Sequence, residues 1–372
     1  MSLKTLLLAA AAALVLPAIM TAHAAETTAT AAKEEFRAVW LTRNELLEGR
    51  ENLEKRLDAL RDAGFNRVAV LTQMRGYTAL ADSDVLPQWP ELAKADAKIL
   101  DWLVPAIQER GMKADAWTEY GFYAYWTPDK DKDPSRGAIL DKKPEMTALT
   151  AKGLPYHHDK DFGYFYAFCP SNPETHEVLI RLYCEMLEKH PFDGLNLDRI
   201  RFTTDLFCHC DHCKSQFRKD TGIELADEFT SGSKGAAAWD GWRKEQTRSF
   251  VRKLSAKMRA DFPGRMLTSA VVMPDMIDEK GQDWPTWVEK GYVDGVMPML
   301  YGNTIDKWVA WIRNRLPDDG KVFYGLDAGQ GMPTFANQVR HLRKLGAPGF
   351  TVWEAGSLGR ILPEYVAEMK KK

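Results

Sequence analysis

The chain has 372 residues, with 50 basic and 52 acidic side chains and a formal net charge of −2. A balance this even gives no basic surface for nucleic acid or an anionic membrane, so we expect neither as a partner. Twelve Trp and twelve Tyr residues suit a carbohydrate site, because aromatic rings pack on the apolar faces of sugars, although core packing also uses such rings.

The N-terminus has the pattern of an export signal. Lys4 precedes an apolar run over residues 6–19, and Ala22-His23-Ala24 forms a cleavage signature. The apolar run is short for a membrane span, and no Cys follows the cleavage site to carry a lipid. We predict cleavage after Ala24, a flexible lead-in over 25–34, and a periplasmic or secreted mature protein without a membrane anchor. An uncleaved anchor is the alternative.

Short apolar segments alternate with amphipathic segments along the rest of the chain. This alternation predicts a single (βα)8 TIM barrel over residues 35–372. Gly64, Gly111, Gly291 and Gly346 follow helical segments, where a left-handed cap favours glycine. The predicted strands are 36–42, 67–72, 113–118, 194–198, 266–272, 295–300, 322–326 and 349–353. The predicted helices are 52–63, 97–109, 173–189, 239–261, 284–290, 305–315, 335–345 and 362–369.

Two long connections interrupt this pattern. Residues 120–172 follow the third strand and are predicted to be irregular, and residues 203–234 follow the fourth strand and contain a short helix. Loops after barrel strands lie on the active face, and long ones are often functional, so the first connection could cover the site.

Polar and aromatic side chains follow the ends of all eight predicted strands, where barrel enzymes build their active sites. A ring of such residues from separate parts of the chain is hard to explain by packing alone. The residues predicted to bind substrate are Arg75, Trp117, Tyr120, Arg201, Asp275, Tyr301, Asp327 and Trp353.

The fourth strand carries the first catalytic candidate. Asn196 and Asp198 alternate with leucines, so both point to the polar interior near the mouth of the barrel. Arg199 or Arg201 can keep Asp198 ionised, as a nucleophile or a stabiliser of an oxocarbenium ion requires. A purely structural Asp–Arg pair is the alternative.

Glu119, at the end of the third strand, is the second catalytic candidate. Trp117 and Tyr120 beside it can raise its pKa by desolvation, as a general acid requires. Glu354, after the eighth strand, is the rival acid. Glycoside hydrolysis needs two carboxyl groups at one site, and their spacing decides retention or inversion.

The cysteines give a separate signal. Cys208, Cys210 and Cys213 form a C-x-C-x-x-C motif, and Cys169 lies upstream of the fourth strand. These four thiolates can close a tetrahedral structural zinc site, and His209 or His212 could replace one of them. Disulfides remain open for an exported protein, although a fifth cysteine, Cys184, makes the count odd. We expect no catalytic cofactor.

Three segments carry a family resemblance: residues 35–41 (EFRAVWL), 192–201 (FDGLNLDRIR) and 297–301 (MPMLY). They resemble glycosyl-hydrolase-like family 10. The resemblance implies a TIM barrel that acts on glycosidic bonds, often in the bacterial periplasm or at the cell surface, with Asp198 as the strand-four aspartate. Some members act on peptidoglycan strands, but residues 117–121 (WTEYG) depart from the Asn/Pro-containing sequence of those members. The four cysteines resemble the zinc-binding set of certain barrel β-galactosidases.

The sequence therefore predicts an exported glycoside hydrolase whose partner is a carbohydrate. Two alternatives remain at this point: a catalytically silent barrel that binds carbohydrate, and a zinc-dependent hydrolase. The sequence leaves the sugar, the anomer, endo or exo attack and the oligomeric state open.

Overall fold

The computed structural model describes residues 34–316 and 318–369 of the chain. The predicted export signal, and the predicted lead-in up to residue 33, lie outside these residues. Among the helices that are described, none is both long enough and apolar enough to cross a membrane.

Eight parallel strands form the predicted barrel. Their bounds are Phe36–Leu41 (β1), Arg67–Met74 (β2), Lys113–Thr118 (β3), Gly194–Leu197 (β4), Met266–Val271 (β5), Gly295–Pro298 (β6), Tyr324–Asp327 (β7) and Gly349–Trp353 (β8). They pair in the order β6-β5-β4-β3-β2-β1-β8-β7. Parallel bridges from Val296 to Val322 and from Met299 to Gly325 join β6 to the β7 segment, so the sheet closes on itself. The fold is a (βα)8 TIM barrel.

Helices follow the strands around the outside. Their bounds are Arg43–Leu46, Arg50–Asp62, Pro90–Asp96, Ile99–Glu109, Pro173–Lys189, Asp211–Thr221, Lys234–Asp261, Ile277–Lys280, Trp284–Glu289, Asp306–Arg315, Thr334–Lys344 and Ala355–Met369. Three-residue 3-10 turns lie at Pro144–Met146, Pro274–Met276 and Ala328–Gln330. The four glycines predicted to end helices all have positive φ, between 66° and 82°. Helix Pro90–Asp96 was not predicted.

The prediction for residues 120–172 was wrong in one respect. This connection contains a three-stranded antiparallel sheet, built from Tyr123–Thr127, Gly163–Ala167 and Tyr156–Asp159 in that spatial order. We call it the rim sheet. Its aromatic side chains pack against the barrel core, which gives the connection a regular structure that a polar loop would lack. The rim sheet therefore forms a wall beside the mouth of the barrel.

The barrel interior contains ordered polar groups, which fix the faces of β3 and β4. Asn196 is fully buried, accepts a hydrogen bond from Trp40 Nε1 at 2.9 Å, and donates to Thr268 Oγ1 at 2.9 Å. Asp115, near the start of β3, pairs with Arg67 at 2.5 Å. Because side chains alternate along a strand, Trp117 then shares the interior face with Asp115, as predicted.

Candidate active site

A cleft of about 390 Å³ opens at the carboxyl ends of β1, β2, β3 and β8. Its floor and walls come from the strand ends and the first residues of the following loops. The residues that line it are Thr42, Arg43, Asn44, Leu71, Met74, Arg75, Trp117, Glu119, Tyr120, Trp353 and Glu354. Six of the residues predicted to catalyse the reaction or bind substrate therefore meet in this one cleft, and Arg43 and Asn44 join them.

Asp198 lies directly after β4, next to this cleft, and is only 7% exposed. Its Oδ1 accepts a hydrogen bond from the backbone N–H of Arg199 at 2.6 Å and lies 3.4 Å from Nη1 of Arg201. Burial raises the pKa of Asp198, and the charges of Arg201 and Arg199 and the indole of Trp117 offset part of that rise. Both arginines predicted to stabilise this carboxylate contact it, Arg201 through its side chain and Arg199 through its backbone N–H.

Glu119 lies directly after β3, one strand away from Asp198. Its Oε1 is 3.2 Å from Nη2 of Arg199, and no described residue hydrogen-bonds its Oε2. Burial raises the pKa of Glu119, and the negative charge of Asp198 raises it further, while Arg199 lowers it. The proton is thus held more readily on Glu119 than on a free glutamate, and Glu119 itself lines the cleft.

A close backbone contact sets the geometry between these two carboxyl groups. The backbone N–H of Phe122 donates to the carbonyl oxygen of Arg199 at 3.1 Å. Gly121, with φ of +49°, allows this approach, because a Cβ there would lie 2.1 Å from the carbonyl oxygen of Asp198. The loops after β3 and β4 therefore cannot separate from or approach each other without moving the site.

We expect Gly121→Ala to lower the free energy of unfolding by about 3 kcal/mol or more, because the backbone must shift to admit the methyl group. A shift near 1 Å at Asp198 should also reduce turnover about 100-fold. Gly111→Ala is the matched control: Gly111 also has a positive φ, of 75°, but its Cβ would meet nothing within 4 Å. Urea unfolding of both variants measures the difference, and equal losses would contradict the contact.

Aromatic rings form one side of the site. The rings of Trp117 and Trp353 lie 5.9 Å apart in an edge-to-face arrangement, and Tyr301 stacks on Trp353 with centroids 6.0 Å apart. Burial and the charge of Asp198 raise the pKa of Tyr301, which places its phenol near that carboxylate. The indole Nε1 of Trp117 is buried without a geometric hydrogen-bond partner. These rings offer a surface on which a sugar can stack.

Three other predicted site residues take different positions. Glu354 lines the cleft, but its oxygens accept hydrogen bonds from the backbone N–H groups of Gly356 and Ser357 at the start of the last helix. Asp327 is placed similarly, accepting from the N–H of Gly329 at 2.7 Å. Asp275 is exposed on the turn after β5. The structure therefore gives Glu354 and Asp327 helix-capping contacts that Glu119 and Asp198 lack.

The sequence analysis did not identify two residues that contact the site, Glu45 and Tyr123. Glu45 is buried beside Glu354, and this proximity helps raise the pKa of Glu45 while it helps lower the pKa of Glu354. A signal was present, because Thr42 and Glu45 have the spacing of a capping box, which the structure contains. Tyr123 of the rim sheet, 5.3 Å from the Arg199 guanidinium, had no comparable signal.

The four predicted metal-ligating cysteines meet in a buried cluster. The Sγ atoms of Cys169, Cys208, Cys210 and Cys213 all lie within 4.8 Å of one another, with 3.4 Å between Cys169 and Cys213. Four sulfurs around a zinc ion at about 2.3 Å stand roughly 3.8 Å apart, so the cluster has the size of such a site. No disulfide joins any of the five cysteines, and Cys184 lies elsewhere, on helix Pro173–Lys189.

The cysteine cluster joins the loops after β3 and β4. Cys169 follows the rim sheet, whereas the other three cysteines follow β4. Around the cluster, the backbone N–H of Leu149 lies 3.4 Å from Cys208 Sγ, and the N–H of His209 donates to the Leu149 carbonyl at 2.7 Å. A metal bound there would fix the loop that carries Asp198 to the wall that carries the rim sheet.

Comparisons with known proteins match the sequence of this chain to a family. A family model described as glycosyl hydrolase-like 10 matches residues 35–316. Glycosyl hydrolase DigH of Escherichia coli K12 is 24% identical over 274 residues, which cover 66% of this chain. The match covers 56% of DigH, so the chain spans a little over half the length of that relative.

Solved structures of glycoside hydrolases share the fold. The glycoside hydrolase domain of PgaB (BpsB) from Bordetella bronchiseptica aligns with a TM-score of 0.69 at 15% identity, covering 91% of this chain and 100% of that domain. A β-galactosidase from Marinomonas ef1 aligns with a TM-score of 0.58 at 14% identity, covering 86% of this chain and 54% of the enzyme. At these identities the likeness shows the barrel fold.

Proposed function

Because the chain belongs to the glycosyl hydrolase-like 10 family, we propose that it is an exported glycoside hydrolase that cleaves O-glycosidic bonds by a two-carboxylate mechanism. The observation that carries this proposal is the pair Glu119 and Asp198. Both carboxyl groups lie at the ends of adjacent barrel strands, both have raised pKa values, and an aromatic-lined cleft lies beside them.

The environments of the two groups suggest their roles. Asp198 is stabilised as an anion by Arg201 and by the N–H of Arg199, so it acts as the nucleophile or as the stabiliser of the oxocarbenium ion. Burial raises the pKa of Glu119 and the charge of Asp198 adds to the rise, while Arg199 offsets part of it, so we assign to Glu119 the protonation of the leaving oxygen. Burial raises the pKa of both groups, so this division of roles rests on the contacts that each carboxyl group makes.

We assign a structural zinc ion to Cys169, Cys208, Cys210 and Cys213. Four cysteine ligands fill a tetrahedral coordination shell, so such a site has no open position for substrate or water. This argues against the zinc-dependent hydrolase. Export is proposed from the signal pattern of residues 1–24, and the substrate is a poly- or oligosaccharide.

Release of new reducing ends from a panel of oligosaccharides and bacterial surface glycans tests the proposal. We expect the wild-type protein to cleave at least one substrate, with products identified by mass spectrometry. A protein that binds a glycan, as measured by calorimetry, but never cleaves it would instead be the catalytically silent carbohydrate-binding barrel. Fold alone does not decide between these two functions, so the turnover measurement is decisive.

A further inference from the structure

The site holds the arginines Arg43, Arg75, Arg199 and Arg201 beside the carboxyl groups of Glu119, Asp198 and Glu354. Arg199 pairs with Glu119 and Arg201 pairs with Asp198, so each of these two carboxylates already has a cation. Arg75 lines the same cleft, and within the described part of the chain it has no ion pair. Arg75 hydrogen-bonds the phenol of Tyr120, and its charge lowers the pKa of Glu119, but no described carboxylate forms an ion pair with it.

The backbone at Arg75 is held in an unusual conformation. Arg75 has φ of +49°, and in residues 34–316 and 318–369 only Arg199, with φ of +50°, shares a positive φ without being glycine. Left-handed residues with long side chains are unfavourable and cluster at binding sites. The turn at Arg75 and Gly76 packs closely against the rim sheet, because a Cβ on Gly76 would lie 3.2 Å from the carbonyl oxygen of Ala124.

The side chain of Arg75 is also fixed. Its guanidinium carbon lies 3.9 Å from the ring centroid of Trp126, and Trp126 is anchored by its Nε1, which donates to the carbonyl oxygen of Phe162 at 2.6 Å. Stacking uses the flat face of a guanidinium, so the N–H groups in its plane that do not bond Tyr120 can donate to a ligand. Arg75 thus presents an oriented set of donors to the cleft.

We infer that Arg75 binds an oxyanion of the substrate, a carboxylate or a sulfate on a sugar ring, so that the substrate is an acidic glycan. This inference rests on the proposed hydrolase function and adds the chemical class of the sugar. Two N–H groups of one guanidinium match two oxygens of such a group. Arg43 lines the same cleft without an ion pair in the described residues and adds to the attraction. A hydroxyl group of a neutral sugar also accepts a hydrogen bond from Arg75, but it lacks the negative charge that strengthens the bond to a carboxylate or sulfate.

The test uses binding by Asp198→Asn, which should hold substrate without cleaving it. The probes are matched pairs on a glycan array: uronate oligosaccharides and their carboxyl-reduced forms, muramate-containing strands and their amidated forms, and sulfated oligosaccharides and their desulfated forms. We expect the acidic member of one class to bind at least 10-fold more tightly. The class that binds distinguishes carboxylate from sulfate.

Adding Arg75→Met to this variant should remove the preference, so that the acidic and neutral members of each pair bind with about equal affinity. Arg75→Lys should retain part of the preference, because it keeps the charge but lacks the fork of donors. Arg61→Met, on an exposed helical surface away from the cleft, is the control and should change nothing. A thermal melt of each variant verifies folding.

Equal binding of both members of every pair would overturn the inference, and so would an equal loss of both members in Arg75→Met. Cleavage of neutral glycans alone by the wild-type protein would overturn this inference and leave the hydrolase function standing. Failure of the wild-type protein to bind or cleave any glycan would overturn the proposed function and this inference with it.

Discussion

Asp198→Asn is expected to lower kcat by at least about 10³-fold, with little change in glycan binding or in the melting temperature. The amide keeps the size of the side chain but removes the negative charge that must stabilise the positive charge developing on the sugar. Asp205→Asn, an exposed aspartate in the same loop, is the matched control and should keep full activity. Equal losses in the two variants would remove Asp198 from the mechanism.

Glu119→Gln should have an effect that depends on the leaving group. A sugar leaving group needs a proton, so loss of the acid should cost roughly 10²- to 10⁴-fold in kcat. A dinitrophenyl glycoside leaves without a proton, so its cleavage should be nearly unchanged in the step that breaks the bond. Glu145→Gln, an exposed residue in the same connection after β3, serves as the control. A uniform loss for both substrates would instead assign Glu119 to the other role.

The pH profile gives an independent check on the same pair. Burial and the charge of Asp198 raise the pKa of Glu119, so the acid keeps its proton to a higher pH than a free glutamate does. Consequently kcat/KM should fall as pH rises through that pKa, and the midpoint should lie above the ordinary carboxyl range. This alkaline limb should disappear in Glu119→Gln measured with the dinitrophenyl glycoside. The pKa read from this limb describes the interacting pair of Glu119 and Asp198 rather than Glu119 alone.

The barrel could be predicted from the sequence because its signals are local. Each strand is a short apolar run, and the glycines that end helices, such as Gly64 and Gly111, need a positive φ that few other residues adopt. The ends of the strands were predicted less accurately than their positions in the chain. β7 begins at Tyr324 rather than at Val322, and it ends on Asp327, which then caps the following turn.

The candidate site was predictable as a set of residues but not as a set of contacts. The rule that barrel sites form at strand ends brought Glu119 and Asp198 together. It gave no information on pairing: the Arg199 side chain contacts Glu119, while its backbone N–H contacts Asp198. That division accompanies the left-handed backbone of Arg199, which lies in close contact with Gly121 of the neighbouring loop. Such a contact leaves no periodic trace in a sequence.

The cysteine cluster could be predicted in part. The C-x-C-x-x-C spacing is local and specific, whereas the approach of Cys169 depends on the rim sheet, which was not predicted. The cluster belongs to a second hydrophobic core, separate from that of the barrel, which includes Phe202, Phe217 and Trp239. A metal there would therefore stabilise the loops that form the site more than the barrel beneath them.

Cys213→Ser is expected to remove about one zinc ion per chain and to destabilise the second core by about 3 kcal/mol or more, since metal loss is among the largest effects of a single substitution. Hydrogen exchange followed by mass spectrometry should show faster exchange around residues 144–170 and 202–221. The barrel strands should keep their protection, because their core does not include the cluster. Turnover should fall about 100-fold, because Asp198 and the two arginines after it lose their fixed position.

Cys184→Ser separates loss of metal from loss of a buried thiol. Cys184 is also buried, but it lies in the barrel core on helix Pro173–Lys189, so this variant should keep its zinc and its activity. Three results would contradict a structural zinc ion. They are purified protein without metal, a mass lower by about 2 Da for each disulfide formed, and activity lost on chelation without faster exchange in the two loops. The last result would indicate metal chemistry in the reaction itself, because a structural ion acts only through the positions of the residues around it.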